Sequence, residues 1–169
     1  MYLFLIGIAS AVPLSYIPPT RIPPSKRSNS VMDYKISQDI LILFSGKDSS
    51  DTNNDIWSFS LSENYWTQLI PSCEVKPGNP YSAKRSNSGC FASKLTENFY
   101  IFAGFSELGL LNDLWVYQIL NSKWIELVTI DPPSSRHNFA YTSYIEEGNE
   151  YFIVFGGYSA NGKDNRLYM

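Results

Sequence analysis

The side chains in this sequence that could carry chemistry are few and far apart. There is one histidine, His137, and there are two cysteines, Cys73 and Cys90. A zinc site needs several His, Cys or carboxylate ligands drawn together, and a hydrolytic triad needs a nucleophile, a base and an orienting acid. A lone histidine beside Arg136 supplies neither, and its place at a strand start suits a structural role. Two cysteines are too few for a disulfide framework. They either form one bridge or act as small apolar residues. The stretch from Asp48 through Asp51 to Asp55 lacks the central glycine and final glutamate of a calcium loop. A solvated polar loop is the expectation there. No glycine-rich phosphate loop or dinucleotide fingerprint occurs. No cofactor and no metal are therefore expected.

Charge narrows the partners. The net charge is −3, the sequence pI is about 5.1, and no run of Lys and Arg exceeds two residues. Duplex binding needs clustered positive charge to displace counterions from phosphate, so nucleic acid is not an expected partner. The apolar run from Tyr2 to Val12 is too short to span a bilayer. With Ala9-Ser10-Ala11 as a small-residue cleavage site it resembles a signal peptide. Against that, no Lys or Arg precedes it, and no Asn-x-Ser/Thr acceptor occurs in the chain. A cytoplasmic protein is the expectation, with the secretory pathway as the alternative if residues 1–11 are cleaved.

The elements that must position these groups come from an internal repeat, the first thing to seek in such a chain. Lys26-Arg27-Ser28-Asn29-Ser30 recurs letter for letter as Lys84-Arg85-Ser86-Asn87-Ser88, a displacement of 58 residues. The same displacement carries Ser45-Gly46 onto Ala103-Gly104, Asn54-Asp55-Ile56-Trp57 onto Asn112-Asp113-Leu114-Trp115, and Trp66 onto Trp124. A third copy opens at Pro132-Pro133-Ser134-Ser135-Arg136 and continues through Gly156-Gly157 to Asn165-Arg166-Leu167-Tyr168. Its Arg lies 51 residues after Arg85 and its glycines 53 after Ala103-Gly104, so two extra residues fall between, in a longer hairpin at Glu146 to Asn149.

Each unit runs in the same order. After the Arg comes a moderately apolar strand. Then follows a solidly apolar one that ends in small residues: Ile40 to Phe44, Phe99 to Phe102, or Tyr151 to Phe155. Short runs rich in β-branched and aromatic residues suit strands buried on both faces. A polar loop, a third strand at Asp55 to Phe59 or Asp113 to Tyr117, a short turn and a fourth strand around Trp66 or Trp124 complete a meander. Aromatic residues make up 15% of the chain and charged residues only 17%, a balance that favours half-buried strands over solvated helices. No stretch has helical periodicity.

An Arg, an apolar strand closed by a glycine doublet, then an aromatic and a Trp at fixed spacing resemble the kelch repeat. The resemblance covers residues 23–169. It implies an all-β fold of kelch-type β-propeller blades, each of four antiparallel strands, with about three repeats in an incomplete ring. The expected divisions are an N-terminal apolar segment and Pro-rich linker at 1–22, repeats at 23–79 and 80–131, and a truncated repeat at 132–169. The chain departs from the pattern at Ser45 and Ala103, which replace the first glycine, and at Tyr168, which replaces the Trp. Both glycine substitutes are small enough to keep close packing. The tryptophans are expected between blades. The third unit breaks off inside an expected strand, which reads as a fragment that needs further blades or another chain to complete the ring.

The resemblance implies a protein-interaction scaffold or adaptor, not an enzyme. The alternative is a fragment of a propeller enzyme of the copper radical oxidase kind, with its catalytic residues outside this chain; such a copper site needs at least a second His. Specificity is expected in the loops of a rigid frame. Phe105, Leu110 and Tyr158 place apolar groups there, suited to a protein partner. Arg27, Arg85 and Arg136 have two readings. The resemblance implies that this position can line the mouth of a central cavity and pair with acidic peptides. The same side chains can instead hold neighbouring carbonyls.

Overall fold

A computed structural model describes residues 21–74 and 81–169. The apolar segment at 1–20 lies outside the described residues. The described residues form strands and turns with no helix, so none holds a helix long and apolar enough to cross a membrane.

The first sheet contains β1 (Val31–Lys35), β2 (Ile40–Lys47), β3 (Thr52–Ser60) and β4 (Tyr65–Ile70) in that spatial order. The second repeats it with β5 (Gly89–Ala92), β6 (Asn98–Ser106), β7 (Gly109–Gln118) and β8 (Lys123–Leu127). Both are antiparallel meanders. In the third repeat, β9 (Arg136–His137) precedes β10 (Ala140–Glu146) and β11 (Asn149–Phe155). A small hairpin, β12 (Tyr158–Ser159) and β13 (Gly162–Lys163), leads to β14 (Leu167–Tyr168). The orders are β10-β11-β14 and β13-β12-β9. The longer hairpin expected at 146–149 is present: Glu146 pairs with Asn149, and Glu147 and Gly148 take φ of 49° and 78°. Two left-handed residues in succession match the right-handed strand twist and make a tight turn.

The sheets pack in sequence order as an unclosed ring, a partial propeller. Ile42, Phe44 and Ile56 of the first sheet face Phe99, Ile101, Tyr117 and Trp124 of the second, all within one buried cluster. Phe102 and Leu114 of the second face Phe139, Phe152 and Val154 of the third repeat. Each sheet is apolar on both faces, so stacking is what removes that surface from water, at about 25 cal/mol per Å².

Polar ties reinforce the stacking. The Nζ of Lys35, buried, donates to the carbonyls of Ser93 (2.7 Å) and Thr96 (2.6 Å) on the next sheet. Ser93 in turn donates its hydroxyl to Glu150 at 2.6 Å. Three asparagines at one repeat position, Asn29, Asn87 and Asn138, link the repeats in series. Asn87 N–H donates to Asn29 O at 3.1 Å, and Asn138 N–H to Asn87 O at 3.3 Å. Each has φ between 53° and 58°, a conformation Asn tolerates better than most residues.

Trp124 bridges sheets as expected, with its ring centroid 5.4 Å from that of Phe44. The other tryptophans differ. Trp66 packs on Phe59 of its own sheet at 5.1 Å, and Trp57 and Trp115 bind a carboxylate.

Candidate functional site: an arginine-locked rim

Arg27, Arg85 and Arg136 occupy one position in three repeats and make one kind of contact. Arg27 Nη1 donates to Ser45 O at 2.9 Å, and the guanidinium binds Asp55 by two bonds of 2.7 and 2.9 Å. Arg85 Nη1 donates to Ala103 O at 3.0 Å, and its two bonds to Asp113 are 2.7 and 2.8 Å. Arg136 Nη1 donates to Gly156 O at 2.7 Å, while Nη2 lies 3.1 Å from Asp164. The carbonyl held in each case belongs to the first residue of the glycine doublet. Arg85 and Arg136 are fully buried, and the Arg27 side chain is 6% exposed.

The carboxylate partners were missed in the sequence reading, although a signal was present. Asp55, Asp113 and Asp164 each lie 28 residues after their arginine. Spacing from the glycines had set Arg166 against Asp113. Asp164 fills the role instead, 7 residues after Gly157 where Asp55 and Asp113 lie 9 after Gly46 and Gly104. The aromatic of the motif closes the carboxylate from its other side. The indole N–H of Trp57 donates to Asp55 at 2.7 Å, that of Trp115 to Asp113 at 2.7 Å, and the hydroxyl of Tyr168 to Asp164 at 2.7 Å. Tyr168 therefore preserves the donor that Trp supplies elsewhere.

Burial works to raise the pKa of Asp113. The ion pair and hydrogen bonds from Arg85, with the indole N–H of Trp115, outweigh it and hold the carboxyl below its ordinary value. Hydrogen bonds from Arg166 and Tyr168, with Arg136 contributing, hold Asp164 far below the usual carboxylate range. A carboxyl with a lowered folded-state pKa stabilises the fold above its unfolded pKa of about 4, and that stabilisation is lost as pH falls through the folded value. Unfolding free energy should therefore drop as pH is taken from 5 toward 2–3, roughly the range where native carboxylates gain protons. Urea titrations at stepped pH would show this. Asp113→Asn should lower stability at pH 7 and flatten this part of the pH dependence.

The remaining candidates lie on strand ends next to these locks, exposed or half-buried. Phe105 and Tyr158 follow the second glycine in their repeats and pair with Ser86 and His137 of the arginine segments. Leu110, half-buried, lies opposite Phe105 across the β6–β7 ladder. His137 joins the two aromatics: its ring centroid is 5.8 Å from Phe105 and 5.8 Å from Tyr158. Phe105 and Tyr158 are 46% and 44% exposed, and Leu108 at the adjoining turn is 99% exposed. Phe105, His137 and Tyr158 thus make one strip across two repeats, and Leu110 flanks it.

The carboxylates of the 48–55 loop go three separate ways. Asp48 accepts from Ser25 and Ser50, Asp51 pairs with Lys84, and Asp55 pairs with Arg27. Among the described residues no group of three or more His, Cys, Asp or Glu side chains comes together as a metal site. Cys73 and Cys90 are both free thiols, and burial pushes the Cys90 thiol well above its ordinary pKa.

A family model for the KLHDC2/KLHL20/DRC7 kelch-repeats domain matches residues 10–169. The repeated Arg–carbonyl–Asp lock, the glycine doublet and the four-stranded meander agree with that match, and the chain belongs to the kelch-repeat family.

Proposed function

We propose that this chain is a protein-interaction module, a scaffold or adaptor that grips its partner by the rim at Phe105, Leu110 and Tyr158. The observation that carries this reading is the exposed strip Phe105–His137–Tyr158, which runs across two repeats on strand ends fixed by buried ion pairs. Aromatic side chains held rigidly at a surface lose little conformational freedom on binding and act as interface anchors. The lysine Nζ of Lys163 lies 5.6 Å from the Tyr158 ring centroid and adds one positive group to the strip. Arg27, Arg85 and Arg136 serve this surface from beneath, by fixing the carbonyl before each rim residue.

The double variant Phe105→Ala/Tyr158→Ala tests the reading. Both side chains are substantially exposed, so stability should change by less than about 1 kcal/mol. Partner capture from native extract, quantified against the unaltered protein, should fall at least about tenfold for specific partners, since anchor truncation costs about 2 kcal/mol or more. An unchanged partner set at full recovery would remove the rim from consideration as the binding surface.

A further inference from the structure

The hairpins beside Phe105 and Tyr158 are built alike. In the second repeat Ser106 and Gly109 pair around Glu107 and Leu108; in the third Ser159 and Gly162 pair around Ala160 and Asn161. In each, the serine hydroxyl donates to the glycine carbonyl, at 3.1 and 3.2 Å. It also accepts the N–H of the residue before the glycine, at 3.2 Å in both. Both glycines are left-handed, with φ of 116° and 95°. Serine and glycine therefore make the turn, and the residue at the tip is released from that duty. It is Leu108 in one hairpin and Asn161 in the other.

Asn161 is exposed, and among the described residues its carboxamide has no hydrogen-bond partner. Asn161-Gly162 is also the one Asn-Gly step in the sequence. Glycine puts no side chain beside the nitrogen that follows the carboxamide. The space a Cβ of Gly162 would occupy has no atom within 4 Å. That nitrogen is thus open to attack the neighbouring side chain. Other asparagines are held. Asn54 donates to Ser82 O at 2.9 Å and accepts from Cys73 N–H at 2.9 Å. Asn29, Asn87 and Asn138 are fixed in the series of backbone bonds that links the repeats. Asn121 offers the fairest comparison, an exposed turn residue followed by Ser122.

We propose that Asn161 is a site of spontaneous deamidation, which converts the hairpin beside Tyr158 from a neutral turn into a lengthened, negatively charged one. The Gly162 nitrogen loses its proton to hydroxide and attacks Asn161 Cγ. The N–Cγ bond forms, the Cγ–Nδ2 bond breaks, and Nδ2 leaves as ammonia. Water then opens the cyclic imide at either carbonyl. One opening gives aspartate. The other gives isoaspartate, in which the main chain runs through the former side chain and is one methylene longer. Either product adds a negative charge to a chain of net charge −3. The isoaspartyl turn cannot keep both Ser159 bonds, because the extra atom falls between the two groups that Ser159 holds. The pairing of Tyr158 with Lys163 rests on that turn. The new carboxylate also offers Lys163 Nζ an alternative to the Tyr158 ring, whose centroid is 5.6 Å away. The inference does not require that Tyr158 bind a partner.

The test incubates the 169-residue protein at mildly alkaline pH and locates each converted asparagine by fragment-ion mass spectrometry. Conversion at Asn161 should exceed that at Asn121 by at least about tenfold, since only glycine leaves the attacking nitrogen unshielded. It should slow at mildly acidic pH, and enzymatic methylation of isoaspartate should label the same position. Asn161→Gln should abolish that label. Gly162→Ala should slow conversion; if it does not fold, Asn161→Gln and the comparison with Asn121 decide alone. His137 is the single histidine, so its imidazole proton resonances are readily assigned by NMR. Its ring centroid is 5.8 Å from that of Tyr158, and these resonances should shift as the converted fraction grows. Conversion at Asn161 no faster than at Asn121, or unshifted His137 resonances in converted protein, would overturn the proposal.

Discussion

Arg85→Ala should destabilise the protein by about 3–5 kcal/mol, the cost of breaking a buried ion pair by removing one partner. The side chain is fully buried and donates to Asp113 twice, to Ala103 O at 3.0 Å and, through Nε, to Ala83 O at 3.2 Å. Removing it leaves a carboxylate and two carbonyls without those donors, and each unsatisfied buried acceptor costs about 1–3 kcal/mol. Whole-domain stabilities are typically about 5–15 kcal/mol, so one such change takes a large share. Arg85→Lys should recover little, because an ammonium cannot reproduce the two parallel bonds of the guanidinium. The double variant Arg85→Ala/Asp113→Ala should cost clearly less than the sum of the single changes, since it leaves no lone buried charge whereas each single change does. Urea unfolding of the four proteins would check this. Additive effects would mean that the pair does not act as a unit.

Gly104→Ala should be comparably damaging, at about 3 kcal/mol, for a steric reason. Gly104 has φ of +110°, and a Cβ placed there would sit 2.9 Å from Ser86 O and 3.0 Å from Ser88 Cβ. The Ser86 carbonyl cannot retreat without loss, because it accepts the N–H of Phe105 at 2.9 Å. Gly46 and Gly157 repeat the situation, each with a backbone carbonyl 2.8 Å from the added atom. Gly109 supplies the control. Its φ is +116°, but nothing lies within 4 Å of the added Cβ, so Gly109→Ala should cost only the backbone strain, about 1 kcal/mol. Thermal unfolding of the two variants separates conformational strain from collision. Equal losses would show that the crowding at Gly104 relaxes freely.

These expectations refine what the glycine doublet means. Ser45 and Ala103 are small enough for the close packing at the first position of the doublet. The backbone adds a second condition: Ser45, Ala103 and Gly156 all have φ between 54° and 70°. The first position accepts a short side chain in that left-handed well, and Ser45 uses its hydroxyl to bind the Arg85 carbonyl of the next repeat. The second position accepts no Cβ, because the backbone of the arginine segment passes too close. Size and space thus divide between two adjacent residues.

The sequence by itself determined the repeat, its strand order and the residue types at each landmark. Those features arise from local alternation, from punctuation by glycine and proline, and from one offset shared by Arg27 and Arg85, Gly46 and Gly104, and Trp66 and Trp124. The family and the β-propeller blades follow from them, because periodicity is carried along the chain. Partnership across the chain is not. Arg85 meets Asp113 only because the segment before β5 bridges to the end of β6, which turns back into β7, and residues 28 apart come within 2.7 Å. His137, which lacks the companions of a metal ligand, joins Phe105 to Tyr158 only because β9 pairs with β12 and also packs against β6 and β7 of the second repeat. The arginine contacts and the aromatic strip were decided by the tertiary structure. Side-chain burial and strand pairing depend on which surfaces meet in space, and the internal repeat constrains that meeting without describing it.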